Sequence, residues 1–194
     1  MALTLNRVSV AFDGKPVLTD FSYSFPERGC VLLTGVSGSG KTTLLRLIAG
    51  LLTPDSGTVV GNESVSVAFQ EHRLFPSLNA AENIAVAAFG NKRNLADAEA
   101  ILRFLGFTPE ETHLYPAALS GGMKQRVSLS RAFLKKAPIL LLDEPFKELD
   151  PALSETVADR IRKESETRLV ILTSHSAESA DKFRALVIST DADR

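Results

Sequence analysis

Gly35, Gly40, Lys41 and Thr42 fill the spacing G-x-x-x-x-G-K-[ST] directly after the apolar run Cys30–Leu33 and directly before a leucine-rich segment. The run reads as a buried strand and the segment as a helix, which is the strand–loop–helix setting that a phosphate cradle requires. Gly35, Gly38 and Gly40 leave backbone N–H groups uncovered for phosphate oxygens, and the helix adds the positive end of its dipole. Lys41 supplies a movable cation for terminal phosphates. Thr42 offers a hydroxyl to Mg²⁺, an ion that keeps several waters and takes one or two protein oxygens. These residues lie in the contiguous run Gly35, Val36, Ser37, Gly38, Ser39, Gly40, Lys41, Thr42 and Thr43, a candidate phosphate loop. A glycine turn beside an exposed lysine is the plainer alternative, and the complete spacing in this setting argues against it.

A second constellation ends the apolar run Leu140–Leu142, where Asp143 and Glu144 stand side by side. Parallel sheets gather ligands at the carboxyl ends of their strands. Asp143 suits the Mg²⁺ shell, and Glu144 is then free to orient or deprotonate a water for in-line attack on a terminal phosphoryl group. A third stretch begins with Ser120, Gly121 and Gly122 and continues as a helix carrying basic residues. Ser120 would cap any helix, but a cap needs neither glycine, whereas an anion site at a helix N-terminus gains from both. The chain thus holds two phosphate-binding devices. Lys124, Arg126, Arg131, Lys135 and Lys136 read as a solvated helix surface.

The elements that must position these groups fit one domain, since 194 residues suffice for one buried core and not for two. Leu3–Val10 and Val17–Phe25 alternate as strands around a turn at Asp13–Lys15, giving an antiparallel opening. The helix from Thr42 is expected to bury Leu44, Leu45, Leu47, Ile48, Leu51 and Leu52 and to end through Pro54 and Gly57. A strand near Ser64–Phe69 follows. From Glu71 to Ala137 the pattern is helical, with segments near Ala80–Ala88, Leu95–Leu105 and Gly122–Lys136. The runs at Pro138–Asp143 and Arg168–Ser174 are continuously apolar, as strands buried on both faces should be, with a helix over Pro151–Glu166 between them. The expected fold class is an α/β layered core with a mostly parallel sheet, an N-terminal antiparallel β part and an inserted α-helical subdomain. The core takes 1–70 and 138–194, and the subdomain 71–137.

The 22 basic and 23 acidic residues nearly cancel, so no global field recruits nucleic acid or anionic lipid. Cys30 is the only cysteine and reads as a small buried hydrophobe in a reducing compartment. The N-terminal segment lacks the apolar core of a signal peptide, and no apolar run approaches a membrane span, so a soluble chain is expected.

Together these segments resemble the ATP-binding cassette (ABC) ATPases. Gly35–Thr43 looks like their Walker A motif, Leu119–Gln125 their signature, Ile139–Pro145 their Walker B and Lys147–Asp150 their D-loop. The resemblance covers nearly the whole chain and implies a P-loop NTPase that binds ATP and Mg²⁺. It implies that Phe12 stacks on adenine, and that Gln125 and Asp150 belong to the nucleotide-binding set. It further implies that Gln70 links Mg²⁺ and the attacking water to the helical subdomain and that His175 contacts the terminal phosphate, both joining Glu144 as catalytic groups. In that family two cassettes face each other head to tail, with each ATP between one Walker A loop and the other signature. One copy of each motif here implies a homodimer or a closely related partner. The chain departs from the family pattern at Phe12, where tyrosine is frequent, at Lys147 and Glu148, where serine and alanine are frequent, and at Ser176, where aspartate follows the histidine. The span from Gly40 to Gln70 is short, and no C-terminal regulatory domain is expected after Ala185–Thr190.

Stand-alone cassettes of this kind power membrane transporters. The resemblance to the nitrate, sulfonate and taurine importer group rests on Leu119–Val127 and Leu74–Ile84. It implies transmembrane permease subunits, a substrate-binding protein and a peripheral place on the cytoplasmic face of the membrane, with no nucleic-acid partner. A soluble cassette acting on nucleic acid or ribosomes is the alternative; the chain has neither a second cassette nor a basic balance to support it. A GTPase or small-molecule kinase would share the phosphate loop, but the guanine-reading pattern N-K-x-D fails at Asn94 and neither class explains the signature.

Overall fold

A computed structural model describes residues 2–62, 64–89, 94–174, 183 and 185–190. Strands β1 (Thr4–Phe12) and β2 (Lys15–Ser24) form a hairpin through Asp13 and Gly14, both at positive φ, as a type I′ turn demands. Strand β4 (Ser56–Val60) pairs antiparallel with the other edge of β1. It lies where the sequence suggests only a turn. Gly57 permits the approach, because a Cβ there would collide with the β1 backbone at Asn6 and Arg7.

The second sheet is parallel throughout, in the order β5 (Val65–Ala68), β6 (Ile139–Leu142), β7 (Leu169–Thr173), β3 (Gly29–Thr34), β8 (Leu186–Ser189). The continuous apolar runs of β6 and β7 are buried at every position. Each strand divides its residues by parity. Cys30, Leu32, Leu140, Leu142, Val170 and Leu172 join one core with the helices, whereas Val31, Leu33, Leu141 and Ile171 join another with β1 and β2. Both faces of the sheet are thus covered, which is what an all-parallel sheet requires. Burial pushes the Cys30 thiol up to about 12, in keeping with a packing role.

Helix α1 (Lys41–Ile48) joins the second core through Leu44, Leu45, Leu47 and Ile48. It ends earlier than expected, because Gly50 at φ 68° stops it. The Gly50 N–H donates to the Leu47 carbonyl at 3.0 Å and the Leu51 N–H to the Arg46 carbonyl at 2.9 Å, a Schellman closure. Leu51, expected in the core, is 63% exposed.

Within 71–137 lie α2 (Ala80–Phe89), α3 (Leu95–Phe104) and α4 (Gly121–Leu134), close to the expected segments, with short 3₁₀ turns at Glu111–His113 and Pro116–Ala118. Asn79 and Glu82 form a capping box at the start of α2: the Glu82 N–H donates to Asn79 Oδ1 at 2.9 Å and the Asn79 N–H to Glu82 Oε2 at 3.1 Å. Helix α5 (Pro151–Ser165) has proline in its first turn and Asp150 as its cap.

Candidate nucleotide-binding and catalytic site

The loop between β3 and α1 turns on Gly35, Gly38 and Gly40, at φ 144°, 81° and 97°. At Gly40 a side chain is doubly excluded, since a Cβ would also press on Val17 Cγ1 at 3.1 Å. Lys41 is only 7% exposed, and its ammonium donates to the carbonyls of Gly35 at 2.7 Å and Val36 at 2.9 Å. A nearly buried cation held by carbonyl dipoles is suited to an incoming anion. Ser39 is fixed from behind, its hydroxyl 2.6 Å from that of Thr190, which donates in turn to the Thr34 carbonyl at 3.1 Å.

The parallel sheet brings the second constellation to this loop. Thr42 Oγ1 donates to Asp143 Oδ2 at 2.9 Å, so the two oxygens expected to hold Mg²⁺ converge on one point. Thr173 Oγ1, at the end of β7, donates to the other oxygen of Asp143 at 2.7 Å and accepts from the Glu144 N–H at 2.8 Å. Glu144 is set at φ 50°, an uncommon conformation for a non-glycine residue, and Lys147 Nζ lies 4.0 Å from its carboxylate. Phe12, Thr42, Gln70 and Asp143 line one cleft of about 390 Å³, with Arg46 and Phe69 beside them. Phe12 is 46% exposed there, available to stack. The cleft is large enough for part of a nucleotide, and its guanidinium, hydroxyl, amide and carboxylate groups fit phosphates and a hard cation. His175 lies outside the described residues.

Ser120, Gly121 and Gly122 do not line this cleft. They form the start of α4, where Ser120 Oγ accepts from the Met123 N–H at 3.2 Å. Ser120 and Gly121 are exposed. Gln125 and Asp150, also expected in the nucleotide-binding set, both make contacts within this chain. Gln125 is 4% exposed and turned inward, its amide donating to the carbonyls of Glu144 at 3.4 Å and Pro145 at 3.5 Å. It ties the signature helix to the carboxylate turn. Asp150 accepts from the Leu153 N–H at 2.9 Å, so one of its carboxylate oxygens is taken by the cap.

Three further residues escape the sequence reading. Thr173 lies inside a run read only as a continuous apolar strand, with no local sign of its partners. His72 joins two loops: Nδ1 lies 3.1 Å from the Gln70 carbonyl and Nε2 3.3 Å from that of Gly121, and burial pushes its basicity down. Asn83, fully buried, holds the chain after Gln70 by accepting from the Phe75 N–H at 2.8 Å and donating to the Leu78 carbonyl at 2.8 Å.

A family model described as ABC transporter matches residues 18–147, a span that includes the phosphate loop, the signature and both carboxylates. The chain belongs to the ABC transporter family. It is an ATPase subunit of that family, and among its relatives is a thiamine import ATP-binding protein of Salmonella paratyphi A, 41% identical over 184 residues, or 84% of this chain and 77% of the relative. An aliphatic sulfonates import ATP-binding protein of Paracoccus denitrificans is 38% identical over 185 residues, covering 92% and 75%. The resemblance to a sulfonate importer group is thus found again, with a thiamine importer beside it. Among solved structures, the ATP-binding cassette MJ0796, a dimer in a post-hydrolysis state bound to ADP and Pi, superposes with a TM-score of 0.84 at 25% identity, over 96% of this chain and 93% of that one. The layered fold of this ABC ATPase is therefore that of a P-loop cassette. These relatives favour transport over action on nucleic acid.

Proposed function

We propose that this ABC ATPase works as a pair of chains with two shared ATP sites, coupled to import of a small organic solute. The observation that carries the reading is the separation of the two proposed phosphate-binding devices: the cleft lined by Thr42 and Asp143 contains no residue of Ser120–Gly122, and Gly121 lies instead against Glu148 and His72. A second chain, most simply an identical one, supplies the missing signature. The dimeric state of the similar cassette MJ0796 supports this arrangement.

In the proposed site Thr42, Asp143 and Gln70 would hold Mg²⁺, which would supply positive charge against the phosphates. Lys41 exchanges its two loop carbonyls for phosphate oxygens. Glu144 accepts a proton from the attacking water, and the threonine bridge at Thr173 fixes the Glu144 backbone beside the Asp143 carboxylate. Phe12 stacks on the base. His175 is proposed to contact the terminal phosphate, and Asp150 to keep its free oxygen for the facing site.

We assign 1–70 and 138–194 to the nucleotide-binding core and 71–137 to the helical part that meets transmembrane permease subunits on the cytoplasmic face. Among the described residues no helix is long and apolar enough to cross a membrane. The import subunits among its relatives support a peripheral place, with a substrate-binding protein presenting the solute. Affinity purification of the tagged chain from its native host tests the assignment. Recovery with a polytopic membrane protein is the expected result, and recovery from the soluble fraction with nucleic acid or ribosomes would overturn it.

A further inference from the structure

The signature turn already carries an anion from its own chain. Glu148 belongs to the turn between the carboxylate pair and α5 and stands at φ 63° with its side chain exposed. A Cβ on Gly121 would collide with the Glu148 carboxylate, whose Cδ would be 3.3 Å away. One on Gly122 would meet the Glu148 carbonyl oxygen at 2.7 Å. One residue therefore lies against both glycines. It does so at the first turn of α4, where helical N–H groups lack intrahelical partners and the dipole is positive. His72 reaches the same turn from the other side, at 3.3 Å from the Gly121 carbonyl, and Glu148, Arg131 and Lys124 are all close enough to act electrostatically on its ring.

We propose that Glu148 is a positioning residue for assembly: its carboxylate sits on the signature glycines where a facing chain's terminal phosphate has to sit, so the ATP-bound pair closes only as Glu148 leaves. This inference rests on the two-chain reading of the site. Two anions cannot share one helix N-terminus without like-charge repulsion, so displacing Glu148 subtracts from the free energy of closure. Closure is then a choice between two arrangements of one turn, and the nucleotide must outcompete a resident carboxylate. The charge is a property of this chain, since the family pattern has a small neutral residue at this place.

Light scattering tests the inference on full-length protein carrying Glu144→Gln, which is expected to bind ATP without turning it over. The ATP concentration giving half-maximal dimer is measured with and without Glu148→Gln, which keeps the shape and removes the charge. A fall of about tenfold is expected, and a similar fall for Glu148→Ala. A merely structural contact would leave Glu148→Gln at the parental value and move only Glu148→Ala; that result overturns the inference, as does an unchanged value for both. In either case the two-chain site survives. If none of the variants forms an ATP-dependent dimer although each binds ATP, the two-chain reading falls and takes the inference with it.

Discussion

The two proposed phosphate-binding devices of this chain are built on opposite plans. At the first, Lys41 and Asp143 are 7% and 4% exposed; Lys41 is held by donating to the Gly35 and Val36 carbonyls, and Asp143 by accepting from the Thr42 and Thr173 hydroxyls. Three strands of a buried parallel sheet deliver those groups, so their geometry is fixed by packing. The second is the exposed end of one helix, with a single serine cap and two glycines lying against Glu148. Preorganisation of this kind suits chemistry, because groups already oriented do not reorganise during reaction. An open helix end suits recognition, because it can be covered and uncovered.

The sharpest way to test the contrast is to disable each plan in turn. Glu144→Gln removes the proton acceptor from the preorganised half, and steady-state ATP hydrolysis should fall by roughly 10²- to 10⁴-fold with ATP binding retained. Full activity would remove Glu144 from the mechanism. Next in size is complementation. Lys41→Ala and Gly121→Asp should each abolish hydrolysis in pure dimers, the second by placing a side chain and a negative charge where Glu148 and the facing phosphate compete. In a mixed dimer both lesions fall in one site, and the other regains an intact phosphate loop and an intact signature, so mixing should restore part of the activity. Near-normal hydrolysis by pure Gly121→Asp would reduce the second device to a capped helix.

Smaller effects probe the preorganisation itself. Thr173→Val removes the donor to Asp143 and the acceptor for the Glu144 N–H at a fully buried position. Leaving those partners unpaired should cost about 1–3 kcal/mol of folding stability, measurable by denaturant unfolding. No loss would mean that water replaces the hydroxyl and that the bridge does not set the site. Phe12→Ala should weaken nucleotide binding by about 1–3 kcal/mol for ATP and GTP alike, because stacking uses a π-face that every base has. Calorimetric titration of both nucleotides checks this, and unchanged affinity would leave Phe12 a bare surface aromatic.

What the sequence discloses follows the same contrast. The phosphate loop, the carboxylate pair and the buried strands are each written in a few contiguous residues, so spacing and apolar runs suffice to find them. Strand β4 is not legible, because Ser56–Val60 has no alternation of its own and pairs only through the gap left by Gly57. The end of α1 is misread because Leu51 and Leu52 continue the helical apolar pattern beyond the left-handed Gly50 that stops it. Thr173 lies inside a run that reads only as a continuous apolar strand, and its role depends on which strand lies alongside. Gln125 carries the family's motif but its burial is set by the turn at Glu144 and Pro145. The place of Glu148 over Gly121 depends on a turn conformation that no local pattern announces.

The division of each central strand between two cores has a consequence for the chemistry. Leu142 is level with Leu172, and Leu33 with Thr173, so Asp143 comes to the same height as the threonine that holds it. Sliding any one of these strands by a single residue would swap its inward and outward sets, sending side chains fitted to α1 into the space fitted to the other helices. Each buried leucine of β3, β6 and β7 is therefore a spacer for the proposed reaction, and the ångström tolerance of the proposed catalytic groups is kept by apolar contacts below them. An alteration deep in either core that shifts a strand without unfolding it would be felt first as misaligned oxygens around the phosphate loop.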